Sequence, residues 1–109
     1  MSTSSNTLSA FRTVIGANKG VPRSRIWIEG RRLVEAGFTP GTRYDRSHAT
    51  PSGTGLYLFA TPDGRYKVSG KGDKPIIDIT GALVARLFPA PQTHVVVTFK
   101  PGSIDIESE

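Results

Sequence analysis

The sequence predicts a mainly β protein with short helices, in which two tandem strand–helix–hairpin repeats form a small β-barrel about a pseudo-twofold axis. Three observations predict this fold. The 109 residues include twelve glycines and eight prolines, which favours many turns between short strands. Apolar and polar residues alternate in several segments, as in half-buried strands. A segment that combines a strand with a helix occurs twice, at residues 24–38 and 75–88.

The first repeat is expected at residues 23–71, after a flexible basic arm at residues 1–22 that is rich in Ser, Thr, Asn and Gly. "SRIWI" predicts a strand with Ile26 and Ile28 on one face, because its apolar residues recur with period two. "GRRLVEAG" predicts a short helix. Gly37 is typical of the left-handed residue that follows a helix C-terminus.

The rest of the first repeat is expected to be strands and turns. "TPGT" predicts a turn, "TRYD" a strand, and "RSHATPSGTG" a polar loop. "LYLFA" and "RYKVS" predict a hairpin around "TPDG", in which Gly64 would accept a positive φ. "GKGDK" is interpreted as a linker.

The second repeat, expected at residues 72–109, matches the first in order and spacing. At an offset of 51, Ile26, Ile28 and Gly30 match Ile77, Ile79 and Gly81; after one deleted residue, Leu33, Val34 and Phe38 match Leu83, Val84 and Phe88. "HVVVTF" and "SIDIE" predict a second hairpin around "KPG". One copy is too small to bury its apolar face, so the two copies are expected to cover each other in a closed or nearly closed barrel, and closure would remove exposed strand edges.

The charges are unevenly distributed along the chain. The net charge is +5 and the pI about 10.0. Residues 1–71 carry eleven Lys and Arg against four acids, a net of +7, whereas residues 72–109 carry three against five, a net of −2. This segregation predicts one basic face for a polyanionic partner.

The absence of cysteine excludes disulfides and Cys-based zinc sites. The sequence shows no signal peptide and no long apolar run, so a cytoplasmic protein is expected.

The run "IEGRRLVEAGFTPGTRY" resembles the SymE-like toxins, whose pattern is apolar-x-Gly-x-x-Leu-x-x-Ala-Gly-Phe, then a Gly turn and a strand. The matching residues are Ile28, Gly30, Leu33, Ala36, Gly37, Phe38 and Gly41. The plan, with its "DGRYKV" hairpin, is also similar to the wider AbrB/MazE swapped-hairpin superfamily. The resemblance covers residues 25–44 well, residues 56–69 loosely, and the second half only as a degenerate copy. It implies a swapped-hairpin-type β-barrel.

The resemblance also implies a nucleic-acid partner. AbrB-like proteins are mostly DNA-binding regulators or antitoxins, whereas SymE-like toxins act on RNA and repress translation. Double-stranded DNA is therefore the first expected partner and RNA the second. The superfamily usually forms homodimers with interlocked hairpins. Because this chain carries both halves, a monomeric pseudo-dimer is expected, with a homodimer as the open alternative.

Phosphate contacts are expected from the basic residues of the first half, since Arg and Lys neutralise phosphates. The residues predicted to contact nucleic acid are Lys19, Arg23, Arg25, Trp27, Arg31, Arg32, Arg43, Arg65 and Lys67. Trp27 either stacks on a base or caps the barrel. Arg31 and Arg32 either contact phosphate or form a solvated helix start. Function is favoured for this pair because arginines are unfavourable at a helix N-terminus and because the second copy has lost them.

Catalytic chemistry has little support in the sequence. His48 stands in the long polar loop, where a lone histidine is usually solvated, and no P-loop or nucleophile motif is present. No cofactor or metal is predicted, and ribonuclease activity would follow from the SymE resemblance alone. A third possibility is that the protein docks on a host protein through "VVVTF", if that strand has a free edge; the alternative interpretation is a core strand.

Overall fold

The computed structural model describes residues 7–48 and 55–109. Strands hold 56% of these residues and helices 11%, which confirms the mainly β prediction. The helices are α1 (Arg31–Glu35) and α2 (Ala82–Leu87). The strands are β1 (Ser9–Val14), β2 (Gly16–Asn18), β3 (Val21–Glu29), β4 (Arg43–Ser47), β5 (Gly55–Ala60), β6 (Tyr66–Lys67), β7 (Ser69–Lys71), β8 (Lys74–Thr80), β9 (His94–Lys100) and β10 (Ser103–Ser108).

The strands form two antiparallel sheets. The large sheet has the order β1-β9-β10-β5-β4-β6, and the small sheet has the order β2-β3-β8-β7. Within the described ranges both sheets are open at their edges, so the prediction of a closed barrel is wrong. The sheets share one core instead, because apolar residues of both enter the same buried cluster.

The strand pairing has an internal symmetry. Exchanging β1–β5 with β6–β10 maps β1–β9 onto β6–β4, β9–β10 onto β4–β5 and β2–β3 onto β7–β8, and it maps the central pairings β5–β10 and β3–β8 onto themselves. Single hydrogen bonds follow the same rule, since the Ile15 N–H donates to the Thr93 carbonyl at 2.8 Å and the Val68 N–H donates to the Thr42 carbonyl at 2.9 Å. The two-unit arrangement extends therefore to individual backbone contacts.

The pairing places the two units at residues 9–60 and 66–108, which differs from the division expected between residues 71 and 72. β1 and β2 thus belong to the first unit, and the expected flexible arm is wrong for residues 7–22. This segment is ordered because Ile15 is buried and Phe11 packs against the core. Its small polar residues hid the alternation that pairs β1 with β9.

The helices align one residue differently from the sequence prediction. The Leu33 N–H donates to the Gly30 carbonyl at 3.1 Å, and the Val84 N–H donates to the Gly81 carbonyl at 3.2 Å. Leu33 is thus equivalent to Val84, both fully buried, and the expected match of Leu33 with Leu83 is wrong. The deleted residue lies towards the end of the helix. The α2 residues at the positions of Arg31 and Arg32 are Ala82 and Leu83.

One of the two predicted hairpins exists. β9 and β10 are joined through "KPG" as expected, but β4 lies between β5 and β6, so the hairpin around "TPDG" is wrong. Gly64 also lacks a positive φ. A Cβ at this position would overlap the Tyr44 backbone, so glycine is needed for close approach of two chain segments. Gly37, in contrast, has the predicted positive φ of 92°.

The core lies between the sheets and is closed by the helices. Ile26 and Ile28 of β3 are fully buried, as predicted, and pair with Ile79 and Ile77 of β8. β9 alternates buried and half-buried residues and has neighbours on both sides, which fits the core-strand interpretation of "VVVTF". Neither helix in the described part of the chain approaches the length of a membrane span.

Candidate nucleic-acid interface

Arg23 lies in a bulge that occurs in only one unit. A register shift between Gly16 and Asn18 leaves β3 with nine residues, whereas the equivalent β8 has seven. Arg23 adopts a φ of 57° within the bulge. Its guanidinium donates to the backbone carbonyls of Phe88 and, at 2.7 Å, of Gln92. Phe88 is the C-cap of α2, so Arg23 supplies a donor to the end of that helix and joins it to the loop that follows.

Arg25 has a partner within the chain. Its guanidinium binds Asp78 of β8 with both oxygens, at 2.9 Å from Nε and 2.8 Å from Nη2. This hydrogen-bonded carboxylate raises the pKa of Arg25. The same guanidinium lies 4.7 Å from the centre of the Trp27 ring. One face of the indole is therefore covered, which favours the structural interpretation of Trp27 over base stacking.

The Arg31 and Arg32 side chains have different surroundings. Arg31 is 88% exposed and forms a long ion pair with Glu35, with 3.7 Å between Nε and Oε2. The Arg32 guanidinium lies 5.0 Å from the centre of the Phe11 ring on β1. The α1 N-terminus has no acidic residue in its first turn. Arg31 is thus available to an anion, while Arg32 also holds the first strand in place.

Arg43, Arg65 and Lys67 come together at the open edge formed by β6. Arg43 pairs with Lys67 across β4 and β6, and its Nη1 donates to the Gly64 carbonyl at 3.1 Å. The Arg65 backbone N–H donates to Asp45 at 3.2 Å. All three basic residues are exposed, and these backbone contacts fix their positions on the edge.

Lys71 and Lys74 are basic residues on the β7–β8 hairpin of the small sheet, and they were missed by the sequence analysis. They face each other across the β7–β8 hairpin, and its turn residue Asp73 shares a shallow cleft of about 250 Å³ with Arg31. The hairpin therefore brings β7 and β8 next to the start of α1. "GKGDK" was interpreted as a linker because its glycines hide the period-two pattern that continues from Lys67.

Two ion pairs reduce the charge segregation seen in the sequence. Arg12 binds Glu109 through both oxygens, with 2.9 Å between Nη2 and Oε1, and Arg25 binds Asp78. In each case a basic residue of the first unit meets an acid of the second. The Arg12 hydrogen bond lowers the pKa of Glu109. Residues 1–71 consequently do not form a single basic face.

Seven other basic residues lie at the start of α1, at the β6 edge and on the β7–β8 hairpin, and we call this set the basic end. Its residues are Arg31, Arg32, Arg43, Arg65, Lys67, Lys71 and Lys74. The internal symmetry gives an equivalent position at the opposite end for each of them. In the same order these positions hold Ala82, Leu83, His94, Arg12, Val14, Asn18 and Val21. Only Arg12 among them is a Lys or Arg, and it is paired with Glu109.

The predicted residue Lys19 and the loop histidine His48 are not part of the basic end. Lys19 is exposed in the β2–β3 turn with a φ of 52°; this turn corresponds to Gly72 of the β7–β8 turn. His48 is exposed directly after β4. Its sequence neighbours have other contacts, since Asp45 accepts from Arg65 and the Arg46 guanidinium lies 4.0 Å from the Tyr66 ring centre. No acid–base pair is formed around this histidine by the residues described.

Comparisons with protein-family models, with curated proteins and with solved structures find no match to this chain.

Proposed function

We propose that this protein binds nucleic acid, with double-stranded DNA as the first partner, through phosphate contacts at the basic end. The observation that carries the proposal is the difference between the two equivalent ends. The fold accepts Val14 and Val21 where the basic end has Lys67 and Lys74. Lysine is therefore not needed for folding at these positions. Seven basic side chains at one end form a surface that suits a polyanion.

The aromatic residues favour a duplex over a single strand. Binding of single strands usually depends on exposed rings on which bases stack. Tyr66, the aromatic residue between Arg65 and Lys67, stacks on Tyr44 with 5.6 Å between ring centres and is covered by Arg46. Its ring is thus engaged within the chain. Contacts at the basic end would then be made mainly to the phosphate backbone.

The proposal includes the superfamily resemblance. Two units that exchange their first strands, β1 to β9 and β6 to β4, are what a fused pair of swapped-hairpin-type units would give. In that interpretation the protein is a cytoplasmic DNA-binding regulator or antitoxin-like factor. The SymE-like alternative, an RNA-binding toxin, predicts tighter binding to structured RNA and is an outcome of the same experiment.

A salt series of binding measurements tests the proposal. Fluorescence anisotropy would compare a 20-base-pair DNA duplex, a structured RNA and a single strand between about 50 and 300 mM salt. With six or seven phosphate contacts, the slope of log K against log salt should be about −5 to −6. Absence of binding to all three at low salt would refute nucleic-acid binding. Tighter binding to structured RNA would replace DNA by RNA.

Variants locate the contact surface. Lys67→Val with Lys74→Val introduces the residues that the opposite end already has. Loss of two phosphate contacts should reduce the slope by about 1.8 and the affinity at 0.1 M salt by about 60-fold. Arg86→Ala removes an exposed charge from α2 and serves as the matched control, with affinity expected within about twofold of wild type. An equal loss of log K per removed charge in the two proteins would mean that net charge, and not the basic end, determines binding.

A further inference from the structure

β1 presents an open edge of the large sheet. In the part of the chain that the structure describes, β9 is its only strand neighbour. The pairing runs from Ser9 with Phe99 to Val14 with His94. It ends in the Ile15–Thr93 hydrogen bond. Backbone groups alternate in direction along an antiparallel strand. The N–H and C=O groups of Ala10, Arg12 and Val14 therefore point away from β9.

The equivalent edge at the other side of the large sheet is protected, whereas β1 is not. β6 has only two residues, and Lys67 stands on it at the position of Val14. Short edges and lysines are common ways to prevent strand-to-strand association. β1 has six residues, and its last residue, Val14, is 56% exposed. Leu8, directly before the strand, is 47% exposed. The β6 edge is thus protected against strand pairing, whereas the equivalent β1 edge is not.

We propose that β1 pairs with β1 of a second copy of this chain, in antiparallel orientation about a twofold axis at Arg12. In this register Ala10 faces Val14 of the second copy, so small and apolar side chains meet on the outer face. Arg12 faces Arg12 of the second copy, but the charge of each arginine is already neutralised by Glu109 of its own chain. The result is a continuous sheet of twelve strands.

The charge distribution explains why a second copy fits here. Each molecule carries a net charge of +5, so two copies repel unless their unpaired charges stay apart. Association through β6 would place Arg65 and Lys67 of both copies side by side. Association through β1 brings together the large-sheet edge whose arginine is paired, and keeps Arg65 and Lys67 of the two copies apart, because β6 lies at the other edge of that sheet. The inference does not depend on nucleic-acid binding.

Sedimentation velocity on the full chain tests self-association without nucleic acid. A single strand pair gives a small interface, so a dimer is expected between about 10 µM and 1 mM protein. Val14→Lys copies the protected edge and should weaken the dimer at least tenfold. Val21→Lys is the matched control, because Val21 is equally exposed (57%) but lies on β3. Its dimer should stay within about twofold of wild type.

Two further variants test the edge itself. Ala10→Pro removes an outward N–H and should also abolish the dimer, with thermal melting used to confirm that each variant is folded. The chain has no cysteine, so Ala10→Cys mixed with Val14→Cys should give a disulfide between chains. Either variant alone should not, because like residues lie four positions apart in the proposed register.

Three results would overturn the proposal. The first is a protein that remains monomeric at about 1 mM. The second is equal weakening by Val14→Lys and Val21→Lys. The third is a dimer that persists in both Val14→Lys and Ala10→Pro, which would place the interface elsewhere. Binding of a foreign extended peptide to β1 without self-association belongs with the first result.

Discussion

Arg32 is predicted to stabilise the fold through Phe11, in addition to any contact with phosphate. The guanidinium lies 5.0 Å from the centre of the ring, and a cation–π contact at an exposed site contributes about 0.5–1 kcal/mol. Arg32→Ala should therefore lower the free energy of unfolding by about that amount, equivalent to about 2–5 °C in Tm for a chain of this length. Arg31→Ala should cost less than about 0.5 kcal/mol, since its contact with Glu35 is long and exposed.

A double-mutant cycle measures this contact directly. Urea denaturation of wild type, Arg32→Ala, Phe11→Leu and the double variant would give the coupling free energy. Phe11→Leu also loses the stack on Phe99, at 5.8 Å between centres, but the cycle cancels that loss. The same cycle with Arg31→Ala is the control and should show no coupling. A coupling between Arg32 and Phe11 below about 0.3 kcal/mol, the usual limit of additivity, would refute the cation–π role.

Three other predictions concern pH and close packing. Arg12 holds the pKa of Glu109 below its usual value. The stabilisation from this pair is therefore present above about pH 4.3 and is lost as the pH falls through the lower folded pKa. In urea unfolding at several pH values, the free energy of unfolding should fall less at acid pH in Glu109→Gln than in wild type. Burial raises the pKa of Tyr44, so stability should be complete below about pH 10 and should fall as the pH rises through the folded pKa; Tyr44→Phe should remove this alkaline loss in thermal melts. Gly64→Ala should destabilise by more than about 2 kcal/mol because its Cβ would overlap the Tyr44 backbone; Gly16→Ala, whose Cβ has room, should be tolerated in the same denaturation assay.

The strands and helices could be predicted where side chains repeat with a clear period. Ile26 and Ile28 marked β3, and Ile77 and Ile79 marked β8, because both strands bury one face completely. β1 could not be predicted in this way. Its inward face carries Phe11 between small polar residues and is only half buried at the sheet edge. Edge strands bury less surface, so their sequences are less constrained by the core.

The pairing of the strands could not be predicted from local sequence patterns. "LYLFA" and "RYKVS" have the composition of a hairpin, yet β4 pairs with both segments and separates them. The sequence also contained the information that Gly64 is special, but not the reason, because a close approach to Tyr44 depends on a residue twenty positions away. Non-local contacts of this kind follow from the whole topology.

The candidate site was predicted in part. Arg31, Arg43, Arg65 and Lys67 lie at the basic end as exposed side chains. Arg25 belongs to an ion pair, which could not be foreseen because Asp78 lies 53 residues away in the sequence. Residue type alone does not distinguish a structural arginine from one that is available to a ligand. The difference is the presence of a carboxylate partner within the chain, as Asp78 is for Arg25. Lys71 and Lys74 were overlooked for the opposite reason, since a glycine-rich hairpin resembles a linker.

Strand exchange between the two units has a consequence for how surfaces can diverge. In a symmetric dimer of identical half-length chains, one codon specifies the residue at both ends, so a lysine gained at one end appears at the other. Here each end has its own codons. Lys67 and Lys74 can be selected for charge while Val14, at the position equivalent to Lys67, is selected for contact, and neither choice limits the other. Covalent linkage of the two units thus permits a division of tasks that an assembly of identical halves cannot have.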